Sequence, residues 1–226
     1  MDQARTIVGV LGIQGDIEKH LRALERLGVR GRRVLAARDL EGLAGLILPG
    51  GESTTISKGL VRFDLVKPIQ EFAEAGGAVL GTCAGAIIMS RTSHNHPVPT
   101  LGLIDIESER NAYGTQLDSF VALVDEAVAA SDSGPDSDGA ASGSSGGEWA
   151  GLECVFIRAP RLIDVGPSVE VLARVDGEPV LVREGRRWAC TFHPELTEDL
   201  RVHRAFLADS VVAGATAVGT TNISSS

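Results

Sequence analysis

Three times in its first ninety residues the chain runs a short apolar stretch into a glycine-bearing turn. Thr6 to Ile13 ends at Gln14-Gly15-Asp16, Gly45 to Leu48 at Pro49-Gly50-Gly51, and Ala78 to Leu80 at Gly81-Thr82-Cys83-Ala84-Gly85. Each stretch has the length of one strand, and helical spacing lies between them. Ile17, Leu21, Leu24 and Leu27 recur on one helix face, with Asp16 placed to cap that helix and Gly28 to stop it. A second helix is expected over about Leu65 to Ala75, closed by Gly76-Gly77, and Ala86 to Met89 reads as the start of a buried one. Val34 to Ala36 is a candidate second strand. Such alternation predicts an α/β fold, a mostly parallel sheet with helices on both faces. Ligands of these sheets sit beyond the carboxyl ends of the strands, where the Gly50 and Cys83 turns lie.

The last third is richer in strands: Cys154 to Ile157, Val169 to Val175, Pro179 to Arg183 and Trp188 to Phe192. Asp176-Gly177 is a turn signal between the middle two, so a small antiparallel extension is expected. A final helix is expected from about Glu198 to Asp209. Two segments read as additions. Residues 131–147, SDSGPDSDGAASGSSGG, are nearly all small and polar and predict a flexible surface loop. The tail, from about Gly214 and at most 213–226, reads as frayed. Residues 1–212 are then a single domain.

Composition narrows the partners. The net charge of −9 disfavours phosphate backbones and anionic lipid, so neither nucleic acid nor membrane is an expected partner. The three cysteines, Cys83, Cys154 and Cys190, form neither a dense disulfide scaffold nor a paired zinc motif, and a cytoplasmic setting is expected. The N-terminal apolar stretch is interrupted by glycine and preceded by Asp2, and reads as a strand rather than a signal peptide.

Three groups of residues carry chemistry. Gly81-Thr82-Cys83-Ala84-Gly85 has the Gly-x-Cys-x-Gly form of a nucleophile elbow. Its glycines relieve a sharp turn, and the following helix points free N–H groups at the sulfur. The Ala84 N–H is placed to stabilise an oxyanion. Set against this, a lone cysteine is more often a small buried hydrophobe. In Phe192-His193-Pro194-Glu195, an extended backbone would point His193 and Glu195 the same way, letting the carboxylate hold one ring nitrogen while the other faces a thiol. Without Cys83, a strand-end histidine beside a solvated glutamate would be the better reading. The Pro49-Gly50-Gly51-Glu52-Ser53 turn can aim an N–H at a developing oxyanion, although Gly-Gly is also common in ordinary turns.

Taken together, VGVLGIQGDIEKHLRALERLG, LPGGESTT, GTCAGAI, LGLIDIESERNAYGTQLDSF, FIRAP and TFHPELTED resemble the glutaminase subunits of pyridoxal 5′-phosphate synthase, within the triad glutamine amidotransferases. The blocks stand in family order from about Ile7 to Phe206. The resemblance implies a flavodoxin-like sheet, L-glutamine as substrate and no cofactor. It implies Cys83 as nucleophile, His193 and Glu195 as the rest of the triad, and Gly51 with Ala84 as oxyanion donors. Gly51, Glu52, Ser53, Arg110, Ile157 and Arg158 would hold the substrate, an arginine being suited to grip a carboxylate, although a surface ion pair is the commoner use of such a residue. It further implies docking onto a barrel-shaped synthase subunit that takes ammonia through a tunnel. Subunits of this kind are poorly active until docked, which a flip of the Gly50-Gly51 peptide would explain.

The 131–147 insertion departs from the family pattern, as does His94-Asn95-His96, read as a solvated pair rather than a metal site. His20 and His203 lie in helical stretches, with packing or docking rather than catalysis expected of them. The rival readings are a triad glutaminase of another pathway, such as imidazole glycerol phosphate synthesis, a catalytically silent regulatory relative, and a cysteine hydrolase or chaperone of related fold. The QGD, RNAYG and FIRAP blocks weigh against the first. The intact Cys83, His193 and Glu195 set weighs against the second, and HPE with the GGES turn against the third.

Overall fold

The computed structural model describes residues 6–110, 119–127 and 147–216. Strands and helices in chain order are β1 (Ile7–Leu11), α1 (Ile17–Arg26), β2 (Arg30–Val34), β3 (Gly45–Leu48), α2 (Ser53–Arg62), α3 (Val66–Glu74), β4 (Ala78–Thr82), α4 (Ala84–Met89), β5 (Ser90–His94) and β6 (Ile104–Glu109). They continue with β7 (Ser119–Leu123), β8 (Glu126–Ala127), β9 (Glu153–Ile157), β10 (Arg161–Val165), β11 (Glu170–Val175), β12 (Glu178–Glu184), β13 (Arg187–Cys190) and α5 (Arg201–Thr216). The central sheet has eight strands in the order β2-β1-β3-β4-β13-β12-β11-β8. From β2 to β13 neighbours are parallel, and from β13 to β8 they are antiparallel. The expected mostly parallel sheet with an antiparallel extension is therefore what forms.

Both faces are covered. In β3, Leu46 and Leu48 pack with α2, α3 and α4, while Ile47 turns to the opposite core beside α1 and α5. All three are fully buried, which is why the strand reads as a continuous apolar run. The Asp176-Gly177 turn joins β11 to β12 with positive φ at both residues, 51° and 76°, as a two-residue hairpin requires. One register bears on everything that follows: β13 lies beside β4 with Cys190 opposite Thr82. The chain thus leaves two neighbouring strands at the same level, one toward Cys83 and the other toward His193.

Several expectations need correction. The second strand is residues 30–34, not Val34 to Ala36; it sits on the sheet edge, where only Val34 is buried and the arginines give no apolar rhythm. Helix α2 is not signalled by the sequence pattern, because Thr54, Thr55 and Gly59 weaken helical propensity. It forms because the Glu52 carboxylate accepts from the Thr54 and Thr55 N–H groups at 2.9 and 2.7 Å, and because Ile56 and Leu60 are buried. Asp16 stands at the head of α1 but makes no cap; its carboxylate pairs with Lys19 at 3.3 Å. Helix α5 starts at Arg201, where Asp199 accepts the backbone N–H at 3.0 Å, and runs through Gly214 to Thr216, past the expected start of the frayed tail. Two small sheets, β10-β6-β5 and β7-β9, flank the main one; of their strands only β9 is expected from sequence. The loop expected at 131–147 lies, apart from Gly147, outside the described residues, as does the tail beyond 216. Among the described residues no helix is long and apolar enough to cross a membrane.

Glycine is required where α4 crosses the sheet. A Cβ on Gly85 would lie 1.9 Å from the Leu48 carbonyl oxygen, and one on Gly81 would lie 2.7 Å from Gly85 itself. Backbone cannot yield as a flexible side chain can, so Gly85→Ala is expected to destabilise the chain by about 3 kcal/mol or more, read as a lowered denaturant midpoint.

Candidate active site

Cys83 sits between β4 and α4 with φ 49° and ψ −106°. A residue with a side chain is strained there and persists only where its surroundings over-determine it. The determinants are the glycine contacts at Gly81 and Gly85 and the hydrogen bond from the Cys83 N–H to the Cys190 carbonyl at 2.8 Å. The turn presents the sulfur at the rim of the sheet. It is 5% exposed, and its Sγ lies 3.8 Å from the Ile157 carbonyl.

His193 arrives from the adjoining strand. Its N–H donates to the Val155 carbonyl at 2.9 Å, tying the end of β13 to β9. Residues 194–196 then form a 3₁₀ turn rather than the extended segment expected. The two side chains still meet, because the turn folds the carboxylate back under the ring: His193 Nδ1 and Glu195 Oε1 are 2.8 Å apart. Nδ1 is thereby committed to Glu195, and Nε2 is left to face Cys83. Burial lowers the affinity of the His193 ring for a proton. The hydrogen bonds and charges of Cys83 and Glu195 outweigh it and push its pKa up to about 10. Burial likewise raises Glu195, but His20 and His193 hold it below its ordinary value. The carboxylate stays ionised.

The glycine turn closes over this pair. The Gly50 N–H donates to Thr82 Oγ1 at 3.0 Å, and a Cβ on Gly50 would stand 2.4 Å from the His193 ring. Gly51 has φ 156°, a conformation that L side chains rarely adopt. Gln14 Oε1 accepts the Glu52 N–H at 2.9 Å and so fixes the turn from the side of β1. The Glu52 carboxylate itself points into α2. Although burial raises it, the hydrogen bonds from Thr55 and Thr54 take its pKa down to about 2. The family resemblance places Glu52 on the substrate; its side chain is engaged as a helix cap, which leaves its backbone for that role.

Around the sulfur lies a cavity of about 610 Å³, of a size for a small molecule. Of the residues that the family resemblance assigns to the triad, the oxyanion or the substrate, Gly51, Glu52, Ser53, Cys83, Ala84, Arg110, Ile157, Arg158 and His193 line it, and Glu195 lies behind His193. Arg110 is not a solvated surface arginine: its side chain is 15% exposed, with Nη2 3.4 Å from both Glu52 Oε1 and Thr54 Oγ1. Arg158 holds φ 43°, a second strained residue at the cavity wall.

Three residues around the site receive no site role from sequence: Gln14, Thr82 and His20, of which only packing or docking is expected for the last. The legible signal for His20 is its position among Ile17, Leu21 and Leu24 on the apolar face of α1, where a histidine has to find a buried partner. His94 Nε2 lies 2.8 Å from Glu107 Oε2, so its ring is occupied by a surface hydrogen bond. Among the described residues the grouping with metal-ligand potential is Asp16, His193 and Glu195, whose ligand atoms lie within 4.8 Å of one another. His193 and Glu195 already satisfy each other there.

A strained cysteine facing an imidazole backed by a carboxylate can form and hydrolyse an acyl thioester. The profile of the SNO glutamine amidotransferase family matches residues 10–212. The chain belongs to the SNO glutamine amidotransferase family. Its similar relatives include the pyridoxal 5′-phosphate synthase subunit PdxT of Thermotoga sp. strain RQ2, 43% identical over 88% of this chain and 97% of that protein. The protein of the same name from Deinococcus radiodurans is 45% identical over 88% of this chain and 95% of that protein. A crystal structure titled glutamine amidotransferase superposes with a TM-score of 0.77 at 41% identity, covering 90% of this chain and 98% of that one. PurLQS of Thermotoga maritima, at 18% identity and a TM-score of 0.62, shares the fold.

Two outcomes follow for this amidotransferase site. Glu195→Gln removes a charge that raises His193, so the His193 pKa should fall from about 10 toward its ordinary value of 6.5, as read by NMR titration. A folded value above the unfolded one stabilises the fold fully below pH 6.5 and loses that contribution as pH rises toward 10. The wild-type urea midpoint should therefore decline across that window, and the Glu195→Gln midpoint should decline less. Separately, Glu52→Ala deletes the α2 cap and should cost about 1 kcal/mol in denaturant unfolding.

Proposed function

We propose that the chain hydrolyses L-glutamine to L-glutamate and ammonia and delivers the ammonia to a synthase subunit that makes pyridoxal 5′-phosphate. The observation that carries this is the convergence of Cys83, His193 and Glu195 at one rim of the sheet, in a chain of this amidotransferase family whose relatives are named as subunits of that synthase.

In this reading Cys83 is the nucleophile. His193 takes the thiol proton and holds it as an imidazolium beside the ionised Glu195, and the sulfur adds to the side-chain carbonyl carbon of glutamine. The carbon–nitrogen bond breaks as His193 returns the proton to the nitrogen, which leaves as ammonia. Water, deprotonated by His193, then attacks the thioester and releases glutamate, and the proton goes back to the sulfur. Glu195 keeps Nδ1 of the ring committed, so that Nε2 always serves Cys83. The N–H groups of Gly51 and Ala84 stabilise the oxyanion in both steps. Arg110 faces the substrate carboxylate, while Ser53, Ile157, Arg158 and the backbone of Gly51 and Glu52 shape the pocket. Arg110 is positioned for its role by Glu52 and Thr54.

The partner is read as a barrel-shaped synthase subunit that condenses the ammonia with a pentose phosphate and glyceraldehyde 3-phosphate. Residues 1–212 act as one amidotransferase domain. Three reduced cysteines, all buried, suit a cytoplasmic setting.

The test is a reconstitution. The chain is mixed with the synthase subunit and both sugar phosphates, and cofactor formation is followed with glutamine or with ammonium chloride as nitrogen source. Cys83→Ala should lose essentially all glutamine-dependent synthesis and keep the ammonium-dependent rate. Glutamine-dependent synthesis surviving in Cys83→Ala would end this reading.

A further inference from the structure

The two oxygens of Glu195 are in different circumstances. Oε1 takes the His193 ring, while Oε2 is buried and has no hydrogen-bond partner of standard geometry among the described residues. The ionisable group facing Oε2 is His20 Nε2 at 3.4 Å, with both side chains 0% exposed. His20 is outside the substrate cavity, on the inner face of α1. Its Nε2 is also 3.4 Å from Thr82 Oγ1, the atom that accepts the Gly50 N–H, and its Nδ1 is 3.0 Å from His203 Nε2 on α5. The groups around His20 are thus Glu195 and His193 from the turn after β13, Asp16 from the head of its own helix, Thr82 from β4 and His203 from α5.

Burial lowers the proton affinity of both histidines, His203 to about 3, so each ring is neutral and carries one hydrogen. Two arrangements are then open. With the hydrogen of His20 on Nδ1, the ring donates to His203 Nε2, and the His203 hydrogen is forced onto Nδ1. That atom is buried and has no partner. The same arrangement turns a lone pair of His20 toward a carboxylate oxygen that has no donor. With the hydrogen on Nε2, His20 donates toward Glu195 Oε2 and Thr82 Oγ1 and accepts from His203 Nε2–H. A lone pair on His203 Nδ1 is then left idle, and the Thr82 hydroxyl hydrogen, which the first arrangement lets His20 Nε2 accept, loses that acceptor. A buried N–H without an acceptor together with an ionised carboxylate oxygen without a donor costs more than one hydroxyl hydrogen and an idle lone pair, because the unpaired charged group carries the larger penalty.

We propose that His20 is a positioning residue for the triad: its Nε2–H steadies the inner oxygen of Glu195, and His203 fixes the tautomer that permits this. The proposal rests on the reading of Cys83, His193 and Glu195 as a glutaminase triad. Through Thr82 the same imidazole borders the support of the Gly50 turn, so one buried ring braces both the base and the loop that closes over it.

Two substitutions in the full-length chain test it, with glutamine hydrolysis measured in the presence of the synthase subunit. His20→Leu keeps bulk but offers no donor; His20→Gln offers an amide N–H near the place of Nε2. His20→Leu should lower kcat about tenfold with KM within about twofold of wild type, the scale of one hydrogen bond to a charged group. His20→Gln should recover at least about a third of the wild-type kcat. A wild-type kcat in His20→Leu, or a His20→Gln as slow as His20→Leu, overturns the proposal. If His20→Leu does not fold, nitrogen-15 NMR of the wild-type chain decides. A neutral Nε2–H tautomer of His20 from about pH 5 to 8 supports the proposal, and an Nδ1–H tautomer or a charged ring overturns it. A wild-type chain that fails to hydrolyse glutamine would instead refute the triad reading, and the His20 tautomer, measured independently of turnover, keeps the two failures apart.

Discussion

A carboxylate withdrawn from water must be paired or give up its charge. The Glu195 side chain is fully buried, and the groups facing its two oxygens are imidazoles, His193 at 2.8 Å and His20 at 3.4 Å. Neither ring carries a fixed charge of its own. The ionised carboxylate and the protonated His193 therefore sustain each other, and each depends on the other being held in place. The 3₁₀ turn after β13, the bond from His193 N–H to Val155, and the packing of α1 and α5 behind His20 and His203 all serve that placement. Moving any of them would leave a buried charge unmatched.

The second constraint is close approach. The elbow at Cys83 works because α4 comes so near the sheet that Gly85 touches the Leu48 carbonyl, and because Gly81 leaves room for Gly85. The strained φ of Cys83 is imposed by this contact together with the hydrogen bond to Cys190. Similarly, Gly50 lies against the His193 ring and Gly15 against the Gly50 carbonyl. These glycines are needed less for freedom of motion than for the space a Cβ would take. Backbone is thereby brought close to the sulfur from two sides.

Much of this is legible in the sequence because the signals are local. Apolar runs ending in glycine turns mark β1, β3 and β4, and the Asp176-Gly177 pair marks the β11–β12 hairpin. The cavity-lining residues are legible as motifs, since glycine-rich turns and HPE carry their chemistry in a few contiguous positions. What escapes is information held by tertiary contacts. Helix α2 depends on a glutamate cap that the motif assigns to substrate, and β2 depends on edge pairing of arginines that have no apolar period. His193 and Glu195 meet through a tight turn, where the sequence pattern suggests an extended strand. His20 is visible only as a polar residue on an apolar face; that it stands behind Glu195 follows from how α1 packs on the end of β13.

The register that sets Cys190 opposite Thr82 has a further consequence for how such a chain can diversify. Cys83 and His193 follow the ends of adjacent strands, so their separation is set by the pairing of those strands and not by the long stretch of polypeptide that joins them. Insertions in that intervening stretch, such as the serine- and glycine-rich one before β9, can accumulate without altering the distance over which the proton must travel. Surface identity is thus uncoupled from reaction geometry, and selection can rework the outer edge of the molecule while the two reacting atoms keep their appointed interval.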